Sequence, residues 1–248
     1  MLSASLLVAA LAAFSAGILS GFTGFGLAVI VVPLLLLVYD PKMVVALTGV
    51  LSLSVAAAVV HDSWREADHR VALALLAAAL PGLWAGAEVL RVVDPSYVQL
   101  GMGVLVVVAA LLLGRDVRLP GAKTRWGSVV TGSVSGALAS STGLSGPPAV
   151  LLLASRDLRK RPFRATISLY FLGLDLALLT ILVFRGLVDA GGLAPLALFL
   201  VALTLVGKAL GTALLGSVSQ RTFRAVVLGT VVLAGALGIA TAARTLLI

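Results

Sequence analysis

The chain has no cysteine among its 248 residues, so it can hold neither disulfides nor thiolate metal sites. It has only two histidines, His61 and His69, in the loop His61-Asp62-Ser63-Trp64-Arg65-Glu66-Ala67-Asp68-His69-Arg70. They stand eight residues apart beside carboxylates, without the tight ligand spacing of a zinc site. An interfacial loop anchored by Trp64 accounts for them better. Charge is scarce too: Asp, Glu, Lys and Arg make up 11% of the residues, against about 25% in a soluble domain. No Walker loop, nucleophile elbow or metalloprotease helix occurs, which argues against an ATP-driven pump and an intramembrane enzyme. No cofactor is expected.

What is present is apolar surface. Hydrophobic residues make up 60% of the chain and the mean hydropathy is +1.17. Apolar runs cover roughly 2–38, 43–60, 71–90, 98–113, 126–154, 165–184, 193–217 and 223–243. A helix needs about 20 such residues to cross the hydrocarbon core. The expected fold is therefore an all-α polytopic membrane bundle with no separate soluble domain. The first run lacks a basic n-region, and the Ala13-Phe14-Ser15-Ala16 stretch leads into more membrane sequence, so an uncleaved first segment is expected. The net charge of +8 resides in short loops between apolar runs, which points to membrane orientation and away from nucleic acid.

Glycine is abundant, at 26 residues, and it clusters in two interruptions of apolar runs. One is Gly21-Phe22-Thr23-Gly24-Phe25-Gly26. The other is Thr142-Gly143-Leu144-Ser145-Gly146-Pro147-Pro148. Non-helical backbone persists in lipid only where protein buries it or a polar cavity meets it. Broken helices in corresponding halves point to a transporter whose site lies at the repeat interface.

Charge placement bears on the topology. If all eight runs cross once, the two sides carry nine and eight Lys or Arg residues and no orientation follows. If the two runs holding the breaks each return to the side they came from, thirteen basic residues share one face and four the other, with Lys208 left in the membrane. The thirteen then belong in the cytoplasm. Each half becomes a broken or re-entrant element plus three transmembrane helices, and the halves are inverted relative to one another. The expected division is 1–114 for the first repeat, 115–125 for a cytoplasmic linker and 126–248 for the second repeat. Weak internal similarity agrees: Pro81-Gly82-Leu83-Trp84-Ala85-Gly86 parallels Val206-Gly207-Lys208-Ala209-Leu210-Gly211 at an offset of 125, and Thr23-Gly24 parallels Thr142-Gly143 at 119. Glycines four apart let membrane helices approach closely, so packing is the favoured role of Gly82, Gly86, Gly207 and Gly211.

The breaks also supply a candidate site. Helix N-termini expose backbone N–H groups and a partial positive charge. Leu27 opens an apolar run after the first break, and Pro147 and Pro148 suit the first helical turn after the second. The expected anion site comprises Thr23, Gly24, Phe25 and Gly26 with Ser141, Thr142, Gly143, Ser145 and Gly146, mostly neutral donors. The competing account is that the glycines only permit packing and the hydroxyls only cap helix ends. Asp175 and Lys208 are the ionisable residues deep inside expected spans, where each is costly. They can form a buried pair, or Lys208 can attract the anion while Asp175 carries a proton or serves as counter-charge. Glu88, near a helix end, is expected to snorkel or line a vestibule. The Arg156–Arg164 cluster is first a topology signal, and it can also draw anions to an entrance.

At these residues the chain resembles the TauE/SafE family, the sulfite exporter or four-toluene-sulfonate uptake superfamily of membrane permeases. The resemblance rests on Ser20-Gly21-Phe22-Thr23-Gly24-Phe25-Gly26 followed by Pro33-Leu34-Leu35-Leu36-Leu37. It rests equally on Ser135-Gly136, on Ser141-Thr142-Gly143-Leu144-Ser145-Gly146-Pro147-Pro148, on Tyr170-Phe171-Leu172-Gly173 and on the paired glycines of the third helix in each half. It implies a secondary transporter in the cell inner (plasma) membrane, moving small sulfur oxyanions or organosulfonates such as sulfite, thiosulfate or sulfoacetate by alternating access. Proton or cation coupling and a homodimer are both compatible with it. Leu27 departs from the family's commonest pattern, in which a further glycine is frequent there. An anion channel and a membrane scaffold without substrate are the alternative readings.

Overall fold

The structure, a computed structural model, describes residues 2–23, 25–114, 122, 124–156 and 158–213. Among them it contains nine α-helices and one 3₁₀ turn: α1 (Leu2–Thr23), α2 (Leu27–Leu35), α3 (Pro41–Ser63), the turn Trp64–Glu66, α4 (His69–Val92), α5 (Pro95–Gly114), α6 (Arg125–Thr142), α7 (Gly146–Ala154), α8 (Lys160–Phe184) and α9 (Ala190–Ala213). Five of these helices hold a stretch long and apolar enough to cross a membrane: Ala4–Gly21, Pro41–Glu66, His69–Val92, Arg161–Phe184 and Gly191–Ala213. The chain is an all-α, multi-pass membrane bundle. The expected run at 223–243, most of the 115–125 linker, and Arg221, Arg224 and Arg244 lie outside the described residues.

Both glycine clusters interrupt helix, and the backbone shows why glycine is needed. Gly26 precedes α2 with φ of 91°, and Gly143 ends α6 with φ of 74°; both are left-handed conformations that a Cβ disfavours. The helices after the breaks, α2 and α7, have nine residues each. At 1.5 Å per residue each is about 13 Å long, under half of the roughly 30 Å hydrocarbon thickness.

Elsewhere the scarce acids start helices. Asp40 accepts from the backbone N–H groups of Lys42 and Met43 (3.0 and 3.2 Å), and Asp68 accepts from that of Val71 (3.1 Å). Each satisfies donors that the first helical turn leaves unpaired.

The two most extensive helix pairs among the described residues are α4 with α6 and α1 with α9, followed by α3 with α8. The first two pairs approach glycine to backbone. A Cβ on Gly82 or Gly86 would run into the α6 backbone at Ser133 or Ala137, and one on Gly136 into Ala79 of α4. Gly207 and Gly211 meet α1 at Phe14 and Ile18, while Gly17 and Gly21 meet α9 at Thr204 and Lys208. Close approach gains dispersion where lipid supplies no hydrophobic drive.

Polar contacts mark two ends of the bundle. At one end Arg161 pairs with Glu66 (3.7 Å), and the Asp68 N–H donates to Thr166 Oγ1 (2.9 Å). Arg156 at this end donates to the Ala122 carbonyl (2.9 Å) and to Ser128 Oγ (2.7 Å). At the other end Glu88 joins Arg91 (2.5 Å) and Arg185, and the Arg185 guanidinium lies 3.9 Å from the Trp84 ring centroid. Glu88 is thus the centre of an ion cluster linking α4 to the end of α8.

Candidate substrate-binding site

The two breaks border one cavity. Ser20, Phe25, Gly26, Leu27 and Ala28 line it from the first break, and Ser145, Gly146 and Pro147 from the second. Ser52, Val55 and Ala56 of α3 and Ser168 and Phe171 of α8 close it. Its volume is about 40 Å³. One water needs about 10–15 Å³ by this measure, so the space suits roughly three waters or one small ion. Among the described residues four serines line it and no charged side chain does.

The helix starts contribute unequally. Val29 N–H returns to the Gly26 carbonyl (3.2 Å), leaving the amides of Leu27 and Ala28 in the first turn without an intrahelical acceptor. At α7 two of the first three residues are Pro147 and Pro148, which have no N–H. Among the residues of α7 that line the cavity, Gly146 is therefore the only one with a backbone donor. The first break is the richer in amides.

Buried hydrogen bonds hold the second break in place. Tyr170 Oη donates to Ser135 Oγ (2.8 Å), which donates to the Ser145 carbonyl (2.7 Å). Tyr170 and Ser135 are fully buried. The α6 and α8 helices are thereby tied to the segment that carries Ser145 into the cavity. At the first break the Phe25 ring packs edge-on against Phe163 of α8, with centroids 6.1 Å apart.

The model of the sulfite exporter TauE/SafE family matches residues 9–237, a stretch that includes both breaks and every residue of the cavity wall. The chain belongs to the TauE/SafE family. Comparison with curated proteins and with solved structures gives no match. TauE/SafE proteins are exporters and not enzymes, and membership accords with anion transport across a membrane.

The other residues singled out in this TauE/SafE chain fall in several places. Phe25, Gly26, Ser145 and Gly146 line the cavity. Gly24 and the side chain of Thr23 lie outside the described residues. Ser141 Oγ donates to the Ala137 carbonyl (2.6 Å) and Thr142 Oγ1 to the Leu138 carbonyl (2.7 Å), bonds that tie both hydroxyls to their own helix. Gly143 packs elsewhere: a Cβ there would lie 3.2 Å from Val32 and 3.5 Å from Thr48. Among the described residues no group of three or more His, Asp or Glu gathers as metal ligands.

Asp175 and Lys208 stand in separate surroundings. Asp175 is 3% exposed, has Ser52 of α3 as its polar neighbour and leaves Oδ2 without a partner. Lys208 borders a second cavity, of about 240 Å³, with Asp62, Glu66, Arg161, Arg164 and Thr212. Its charged neighbours are Arg164 and Asp62. Arg164 and Asp175 are three turns apart on α8, roughly 16 Å, which keeps Lys208 from meeting Asp175 as an ion pair.

Ser52 and Ser168 are cavity residues that lie in no motif of the sequence, and Phe171 belongs to the Tyr170–Gly173 motif without having been expected at the site. Their signal is faint: each serine is a single hydroxyl in an apolar helix, and such a residue commonly bonds back to its own backbone.

Proposed function

We propose that this TauE/SafE chain is a secondary transporter of a small sulfur-containing oxyanion or sulfonate, with the serine-lined cavity between the two breaks as its binding site. The observation that carries this reading is the meeting of both breaks on one small cavity. Neutral hydroxyls and unpaired helix-start amides suit an anion that must be held and then released. Its energy comes from an ion gradient or from the anion's own gradient. The chain is read as a bacterial-type inner-membrane permease.

Alternating access needs two halves that move about the site, and we read the chain as inverted repeats at 1–114 and 126–248 joined by the 115–125 linker. Two features support this. The third helix of each half packs on the first helix of the other, α4 on α6 and α9 on α1, through glycines in both cases. The Arg161–Glu66 and Arg185–Glu88 pairs each join loops or helix ends that eight single crossings would put on opposite faces. Both pairs suit the topology in which the broken elements return to their own side.

Counterflow of [³⁵S]thiosulfate in proteoliposomes tests the function. Saturable uptake that accelerates with internal unlabelled thiosulfate is expected. A Cβ at Gly146 has room, with Phe171 Cζ at 3.9 Å, and Gly146→Val adds bulk at the cavity wall. That variant is expected to lose at least about tenfold in apparent affinity, a change of about 1.4 kcal/mol. Flux that does not saturate and shows no counterflow would favour the channel reading. A Gly146→Val protein with unaltered kinetics would remove the cavity from the pathway.

A further inference from the structure

We infer that Asp175 is a proton-carrying group that couples proton uptake to occupation of the anion cavity. The inference rests on the proposed transport reading and adds the identity and position of the coupled ion.

The geometry begins with the α8 face. Ser168, Phe171 and Asp175 follow one another at spacings of three and four, which stacks them along one side of the helix. The first two line the cavity, and Asp175 stands one turn beyond. Across from it, Ser52 of α3 lines the same cavity and neighbours the Asp175 carboxyl. One serine thus separates the anion space from a buried carboxyl whose Oδ2 has no partner.

Among the described residues no ion pair is made to that carboxyl. Tyr170 is the titratable side chain that senses it on α8, and its hydroxyl is already given to Ser135. The ionisable residues of the elements packed on α8 stand towards helix ends: Lys42, His61 and Asp62 on α3, Arg65 and Glu66 on the Trp64–Glu66 turn, His69, Arg70, Glu88 and Arg91 on α4, and Arg125 on α6. A bare carboxylate beside an anion, with both in low dielectric and no countercharge, is strongly repulsive. Anion binding therefore favours the neutral acid. One proton is taken from solvent onto the carboxylate when the anion enters and is returned to solvent when the anion leaves. No other bond changes. Thr48, one turn before Ser52 on α3, has a buried Oγ1 without a partner and extends the polar line along α3.

The test uses full-length protein in proteoliposomes and [³⁵S]thiosulfate, which stays fully ionised across the working pH range and brings no proton of its own. Wild-type protein is expected to accumulate thiosulfate in the lumen when the exterior is made acidic relative to the lumen. Asp175→Asn, isosteric and permanently neutral, is expected to keep thiosulfate counterflow and to lose at least tenfold of the pH-driven accumulation. Ser52→Ala, which keeps the carboxyl but removes the hydroxyl between it and the cavity, is expected to shift the pH of half-maximal accumulation. Wild-type accumulation indifferent to the pH gradient would overturn the inference, as would an Asp175→Asn protein that accumulates like wild type.

A second readout is independent of transport. Infrared difference spectra of purified wild-type protein on acidification should show a protonated-carboxyl carbonyl band that Asp175→Asn lacks. Absence of that band overturns the proton site even where counterflow succeeds. Its presence without any thiosulfate counterflow sustains the proton site and sinks the transport reading for this anion.

Discussion

Ser135 receives one hydrogen bond from Tyr170 and passes another to the Ser145 carbonyl, all within the protein interior. Removing its hydroxyl leaves a buried donor and a buried acceptor unpaired together. An unsatisfied buried group costs about 1–3 kcal/mol, whereas a typical hydrogen bond contributes only about 0.5–1.5 net. Ser135→Ala should therefore lower the melting temperature in detergent more than Tyr170→Phe, which leaves the Ser135–Ser145 bond in place. The reverse order would show that the chain of hydroxyls does not hold the second break. The acids tell a related story about what a sequence can reveal. Asp40 and Asp68 precede apolar helical runs, and their capping role is legible because cap and helix are neighbours in the chain. Asp175 is legible only as a residue that is expensive in a span. Its neighbour Ser52 comes from another helix, and no local pattern announces it. Lys208 was the obvious partner by charge, and the axial distance along α8 rules that pair out.

The elements follow from local chemistry wherever glycine and proline decide the backbone. Both breaks fall where the glycine clusters put them, and α7 begins at the Gly146-Pro147-Pro148 step. What local chemistry does not supply is the partner of each glycine face. A four-residue glycine spacing says that something comes close; it does not say that α4 meets α6 and α1 meets α9. The structure makes those faces testable. A Cβ at Gly86 would press on the Ala137 carbonyl and Ser140 Oγ of α6, and the carbonyl cannot rotate away. Gly86→Ala should destabilise the bundle by about 1–3 kcal/mol, the usual cost of overpacking. Gly101→Ala is the control, since a Cβ there meets nothing within 4 Å. Thermal unfolding of both proteins in detergent decides the matter. Equal stability of the two variants would mean that α4 and α6 do not pack through this face.

At the scale of the whole molecule, the charges, ion pairs and broken helices bear on one quantity, the side of the membrane each loop occupies. The thirteen-to-four charge split comes from sequence and depends on letting both broken elements return to their own side. The ion pairs are independent of that choice. Arg161 reaches Glu66 at one end of the bundle and Arg185 reaches Glu88 at the other, so the 61–70 and 155–164 loops share an end. Single crossings throughout would separate them by the thickness of the membrane. The natural absence of cysteine makes the test clean, because any introduced thiol is the only one. In intact cells a membrane-impermeant maleimide should fail to label Ser63→Cys and Ser155→Cys and should label Ala190→Cys. After the membrane is opened, the first two should become reactive. Labelling of Ser63→Cys and Ser155→Cys from opposite sides would contradict both the charge argument and the Arg161–Glu66 contact. Labelling of all three from one side would leave the contact intact and remove the inverted arrangement, and with it the reason to expect the two halves to rock about the cavity.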